Sequence, residues 1–265
     1  MGSGGERPVT AWRFCGRDRP GSLSGAAPDR PSLYFGAGPT TGMDETPLPP
    51  VTEQFARTLA PEPDAIVAEM DRRADREGFP TVGPAVGAWL RLLARLTDAD
   101  RVFEFGSGFG YSAYWMAPAI PDDGDLVLTE IDRDELDAAR EYFERGGYAD
   151  RAVFEHGDAI DIVESYDGPF DVVLVDNEKS RYTEAFEAVR ETVPVGGVVA
   201  ADNAIEAGSL EFSDIRALLS VGRAADASDA SRGMAAYLER VREDDDFETG
   251  LLPLGEGVAV SVRVA

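Results

Sequence analysis

The amino-acid sequence predicts an α/β fold: a doubly wound, mostly parallel sheet of seven strands, the last two forming an antiparallel hairpin. Three observations predict it. From Val51 onward, short apolar runs rich in β-branched residues alternate with amphipathic helical stretches. The runs are apolar throughout rather than alternating, as strands covered on both faces must be. The final two runs are joined by a link too short for a crossover, so they pair antiparallel.

The elements follow in order. Residues 1–42 are rich in Gly, Pro, Ser and Arg, carry five arginines against three acids and show no periodicity. They are expected to be a disordered tail, or sequence ahead of a true start at Met43, leaving residues 43–265 as the domain. Pro47 to Pro50 leads into a helical region. Strands are expected at 101–105 (RVFEF), 125–131 (DLVLTEI), 152–156 (AVFEH), 170–176 (FDVVLVD) and 196–202 (GGVVAAD). Between the second and third, residues 133–147 place Leu136, Ala139, Tyr142 and Phe143 on one helical face and end on glycine. The closing hairpin joins ETGLLPL to GVAVSVRV through Gly255-Glu256-Gly257.

Composition narrows the function classes. The 265 residues, 43% of them hydrophobic, can bury one full core. A formal charge of −25 excludes nucleic acid and anionic membrane as expected partners, because both carry the same sign. Acids spread along the chain, with one lysine among 25 basic residues, suit a halophilic cytoplasm, where salt screens self-repulsion. The single cysteine, Cys15, excludes an internal disulfide and a cysteine-based metal cluster. No apolar run reaches the roughly 18 residues that a membrane-spanning helix needs.

In a doubly wound sheet, ligands bind at the carboxyl ends of the strands. The first strand ends in EFGSGFGYS, where Gly106, Gly108 and Gly110 permit a tight turn against a ligand and Ser112 opens the next helix. A turn of this kind is equally plain turn geometry. Glu130, at the end of the second strand, is placed to accept hydrogen bonds from ribose hydroxyls, and the two features together suggest an adenosine-containing cofactor. Strand four ends in Asp176 and strand five in Asp202-Asn203, three oxygen ligands at neighbouring tips that suit Mg²⁺. Taken singly, each could simply cap the following helix. The lone lysine, Lys179, follows Asp176 by three residues. Lysine can give up its proton where arginine cannot, which points to a base beside an activated hydroxyl.

The motifs VFEFGSGFGYSAYWMA, TEIDRDELDAAREYFERGGYADR, FDVVLVDNEKSRYTEAF, VGGVVAADNAI and LLPLGEGVAVSVR resemble, in succession, those of the metal-dependent, catechol-type O-methyltransferases. These are class I S-adenosylmethionine-dependent enzymes with a Rossmann-like sheet, and the resemblance covers about residues 80 to 265. It implies that Glu104, Gly106 and Ser112 hold the methionine end of S-adenosylmethionine, that Glu130 holds the ribose, and that Asp158 and Ala159 flank the adenine. Val82 resembles the residue that closes over the methionine part. Asp176, Asp202 and Asn203 fall on the Mg²⁺ ligands, Asp176 also facing the cofactor, and Lys179 falls on the general base. The implied acceptor is a small hydroxylated molecule, catechol-like or a vicinal diol, and the one macromolecular partner retained is a second copy of the chain.

Some residues depart from the family pattern. After Asn203 the substrate-facing loop is acidic and offers no aromatic wall except Phe212, and Asn177 and Glu178 replace commoner family residues. The only histidine, His156, reads as a structural or cofactor-edge residue. Trp89, Tyr114, Trp115 and Met116 read as core. A nicotinamide-dependent oxidoreductase would use the glycine turn and Glu130 but leave Asp176, Asp202, Asn203 and Lys179 without a role. A non-catalytic S-adenosylmethionine-binding protein would not need the complete set.

Overall fold

A computed structural model describes residues 50–265, and the expected tail over residues 1–42 lies outside the described residues. Three helices, α1 (Pro50–Arg57), α2 (Ala65–Glu77) and α3 (Gly83–Leu96), precede the first strand. The alternating region then runs β1 (Arg101–Phe105), α4 (Tyr111–Met116), β2 (Asp125–Glu130), α5 (Arg133–Gly146), β3 (Ala152–His156), α6 (Ala159–Val163), β4 (Val172–Val175), α7 (Tyr182–Val189) and β5 (Val198–Ala201). Helices α8 (Phe212–Val221) and α9 (Asp229–Glu243) lead to β6 (Phe247–Leu252) and β7 (Val258–Arg263). The seven strands form one sheet in the order β3-β2-β1-β4-β5-β7-β6. Strands β1 to β5 pair in parallel, and β7 runs antiparallel to both β5 and β6. The five parallel strands and the closing hairpin thus stand where the sequence puts them.

The apolar strands are explained by two cores, one on each face. Successive strand side chains point to opposite sides. Val102, Leu126, Leu128, Val172 and Leu174 therefore pack with α2 to α5, while Phe103, Phe105, Val127, Val173 and Val175 pack with α6, α7 and α9. Phe103 is fully buried, with Phe105 at 4.9 Å and Phe170 at 5.1 Å between ring centroids. Removing such a side chain costs about 3–5 kcal/mol. Core positions on α5 are the four read from its periodicity, Leu136, Ala139, Tyr142 and Phe143. The helix starts at Asp132, whose carboxylate accepts from the Asp134 and Glu135 amides, and stops at Gly147 in a left-handed conformation.

One packing expectation fails. Tyr114, Trp115 and Met116 are buried, but Trp89 lies on the outer face of α3 and is 37% exposed. Its helix buries Val86 and Leu90 instead, which leaves position 89 on the solvent side of a 3.6-residue turn. No described helix is long and apolar enough to cross a membrane.

Candidate active site

The strand order reverses at β1, which lies between β2 and β4, and a cavity of about 770 Å³ opens above that point. Of the sequence-predicted site residues, Val82, Gly106, Ser112, Glu130, Asp158, Ala159, Asp176, Lys179, Asp202 and Asn203 line it. Glu104 does not. It is 1% exposed behind the wall, where its Oε1 accepts from the Ser112 hydroxyl and its Oε2 has no partner. Burial pushes the Glu104 carboxyl up to about 8, with the charges of Asp176 and Glu130 adding to the shift.

Strand register explains the close approach of the glycine turn. Phe105 pairs with Val175, so Gly106 stands beside Asp176 as both chains leave the sheet. Gly106 has a φ of 79°, and a Cβ there would meet the Asp176 carbonyl oxygen at 2.7 Å. Only glycine fits both conditions. The next strand tip is fixed in the same way. The Gly108 amide donates to Glu130 Oε2 at 2.8 Å and the Asp132 amide to Oε1 at 2.9 Å. Two fixed donors hold the carboxylate and leave lone pairs on both oxygens toward the cavity ligand. At the third tip, Asp158 caps α6 through the Ile160 amide at 3.0 Å, and Arg181 donates to its other oxygen. The Arg181 guanidinium holds the Asp158 carboxyl below the usual range.

The acid-rich end of the cavity is set by β4 and β5. Val175 pairs with Ala201, so Asp176 and Asp202 emerge side by side, and Asn203 follows with a left-handed φ of 59°. Lys179 Nζ donates to Asp176 Oδ1 at 3.0 Å and to the Asn177 carbonyl at 3.2 Å. Burial pushes the Asp176 and Asp202 carboxyls above the ordinary range. Lys179 offsets part of the shift at Asp176, while the charge of Asp176 adds to that at Asp202. Asp202 and Asn203 are both buried, and the Oδ1 atom of each has no hydrogen-bond partner. Partnerless buried oxygens beside two carboxylates under repulsion fit a hard divalent cation. Among the described residues no three His, Cys, Asp or Glu side chains are grouped so that they alone could hold a metal ion, so the candidate set is two carboxylates and one amide.

Several lining residues had no reading as site residues in the sequence. Phe79 and Arg181 reach the cavity from α2's exit and from the turn before α7, and Glu256 reaches it from the β6–β7 turn. Only Glu256 carried a signal, a carboxylate flanked by two glycines. Phe212, expected to offer the one aromatic wall, does not line the cavity. It begins α8 and lies beneath Arg216 at 5.9 Å, and Ala207 and Gly208 face the cavity from that loop. His156 is exposed, accepts from Arg133 at 3.2 Å and meets the Ile131 carbonyl at 3.1 Å, a surface tie outside the cavity lining.

A switch-point cavity with a glycine turn and an anchored carboxylate at the second strand defines a doubly wound, nucleotide-cofactor-binding fold. The chain belongs to the O-methyltransferase family, class I S-adenosylmethionine-dependent enzymes, whose profile matches residues 62–264. It is 38% identical over 167 residues to the catechol O-methyltransferase of Niastella koreensis, covering 60% of this chain and 75% of that one. It is 28% identical over 185 residues to caffeoyl-CoA O-methyltransferase 1 of Eucalyptus globulus, covering 68% and 73%. The solved O-methyltransferase TomG of Streptomyces achromogenes, in complex with SAM, superposes with a TM-score of 0.69 at 24% identity, over 81% of this chain and 96% of that one. The family leaves the nicotinamide oxidoreductase alternative without a place.

Proposed function

We propose that the enzyme moves a methyl group from S-adenosylmethionine to a hydroxyl of a small catechol-like or vicinal-diol acceptor, with Mg²⁺ at Asp176, Asp202 and Asn203 and Lys179 as the base. The observation that carries this reading is the convergence of two carboxylates, a partnerless amide oxygen and the chain's one lysine at a single end of the cavity. When bound, the cation would lower the pKa of the acceptor hydroxyl and the sulfonium would supply the methyl. Gly106 of the glycine turn holds the methionine end of the methyl donor with Val82 closing over it, Glu130 holds the ribose, and Asp158 and Ala159 flank the adenine. Ser112, backed by Glu104, faces the methionine end. Lys179 Nζ, once the bound cation has displaced its own proton and left it the neutral amine, takes the hydroxyl proton as the oxygen bonds to the methyl carbon, and the carbon–sulfur bond breaks in the same displacement.

Charge at the cavity favours an acceptor without a polyanionic arm. Glu130, Asp158, Asp176, Glu178, Asp202 and Glu256 line it, against Lys179 and Arg181 as the only cations in the lining. Both are already ion-paired, Lys179 with Asp176 and Arg181 with Asp158 and Glu184. A halophilic cytoplasm is the setting proposed, on composition alone. Incubation with labelled S-adenosylmethionine, Mg²⁺ and either catechol or caffeoyl-CoA tests the reading. Methylation of catechol, lost in excess chelator and faster than that of caffeoyl-CoA, is expected. Full catechol turnover in chelator would remove the cation, and preference for the coenzyme A ester would remove the charge argument.

A further inference from the structure

We propose that Glu256 is a positioning residue that dictates which end of the Asn203 amide faces the cation. The inference rests on the divalent-cation reading above and adds to it a residue outside the expected ligand set. Asn203 Nδ2 donates to Glu256 Oε2, and Asn203 Oδ1 is buried without a partner. An amide can present either its oxygen or its nitrogen to a neighbour, and the two ends differ little in shape. A carboxylate removes the ambiguity because it only accepts. Turning the amide over would set its oxygen against the Glu256 oxygen and its N–H group toward the cation, both repulsive. Glu256 therefore leaves Asn203 one satisfied orientation, with Oδ1 on the cation side.

The β6–β7 turn is built to hold this contact. The Glu256 carbonyl accepts from the Ile205 amide at 2.9 Å and the Glu206 amide at 3.2 Å, and the Gly257 carbonyl accepts from Ala204 at 2.8 Å. These bonds sew the turn to the three residues after Asn203. Gly257 has a φ of 87°, and a Cβ there would meet Ile205 Cγ1 at 2.4 Å, so the Ile205 side chain packs directly on the turn's backbone. The sheet supplies the frame. Strand β7 pairs antiparallel with β5, with Ala201 opposite Ala259, so the turn before β7 arrives at the tip of β5 by register. Partners of this kind orient the groups that touch a metal, and their loss typically weakens metal affinity by roughly 10–100-fold.

The test is a double-mutant cycle read as Mn²⁺ affinity, measured by calorimetry or paramagnetic resonance on the full chain without acceptor. Parent, Glu256→Leu, Asn203→Ala and the double variant are compared. Glu256→Leu, which cannot accept, is expected to bind Mn²⁺ about 10–100-fold more weakly than the parent. In the Asn203→Ala background the same change is expected to cost almost nothing further, because the group that Glu256 orients is gone. The cycle is run with Glu256→Ala as well, which also cannot accept, so a leucine variant that fails to fold leaves the comparison intact. Two results overturn the proposal while sparing the cation: unchanged Mn²⁺ affinity in the Glu256 variants, or a loss that persists in full without Asn203, which would make Glu256 a direct charge on the ion. A parent chain that binds no Mn²⁺ would remove the cation reading and this inference together.

Discussion

Glu104 offers a quantitative test because its environment is one-sided. The carboxyl is 1% exposed, no cation touches it, and its one partner is the Ser112 hydroxyl. Burial raises it from an ordinary 4.5 to about 8, so the folded ligand-free protein holds a proton there that the unfolded chain has lost at neutral pH. A carboxyl raised on folding contributes stability that is full below its unfolded value and is lost as pH rises toward its folded value. Here that window runs from 4.5 to about 8. From 4.5 to pH 7 is about 2.5 pH units, each worth about 1.4 kcal/mol, so Glu104 should cost ~3 kcal/mol at pH 7 relative to a neutral isostere. Glu104→Gln keeps the shape and an oxygen for Ser112. Urea unfolding of ligand-free parent and variant should give a variant more stable by ~1 kcal/mol at pH 5 and by ~3 kcal/mol at pH 7. A stability difference that does not change between pH 5 and pH 7 would mean that Glu104 is ionised in the folded protein as it is in the unfolded chain.

Two further substitutions probe the strand tips. Gly106→Ala forces a Cβ to within 2.7 Å of the Asp176 carbonyl oxygen at a φ of 79°, so thermal unfolding should show a loss of about 1–3 kcal/mol, with weaker S-adenosylmethionine binding in calorimetry. Asp202→Asn removes a carboxyl whose value burial and Asp176 push well above the ordinary range. By the same sign argument it should stabilise the metal-free protein above pH 5 while weakening Mn²⁺ binding. Loss of stability at neutral pH together with unchanged Mn²⁺ affinity would contradict both parts.

Much of this was legible in the sequence because local rules and fold agree. Parallel strands buried on two faces must be apolar throughout, and Val102, Phe103, Leu126 and Val127 show why, alternating between two separate cores. Helix α5 announced its buried face and both its ends. Cavity-lining residues at strand tips, such as Glu130 and Asp176, were legible because a doubly wound sheet opens its cleft there. Residues that reach the cavity from elsewhere were not. Arg181 arrives through an ion pair with Asp158, and Glu256 through the register of β7 on β5, both long-range facts with no local pattern. Trp89 and Phe212 failed in the opposite sense. An aromatic residue is apolar wherever it stands, and only the helix phase and the path of the loop decide whether it turns inward.

If Lys179 takes the proton, turnover of Lys179→Arg beside the parent will show it. Arginine keeps the positive charge and an N–H donor for Asp176 but does not deprotonate, so methyl transfer to catechol at neutral pH should fall by about 10²-fold or more. Binding of S-adenosylmethionine and Mn²⁺ should stay near the parent level. The gap should narrow as pH rises, because an acceptor hydroxyl that is already ionised needs no base. Near-parent turnover of the arginine variant at neutral pH would contradict the account and leave the single lysine as an accident of composition.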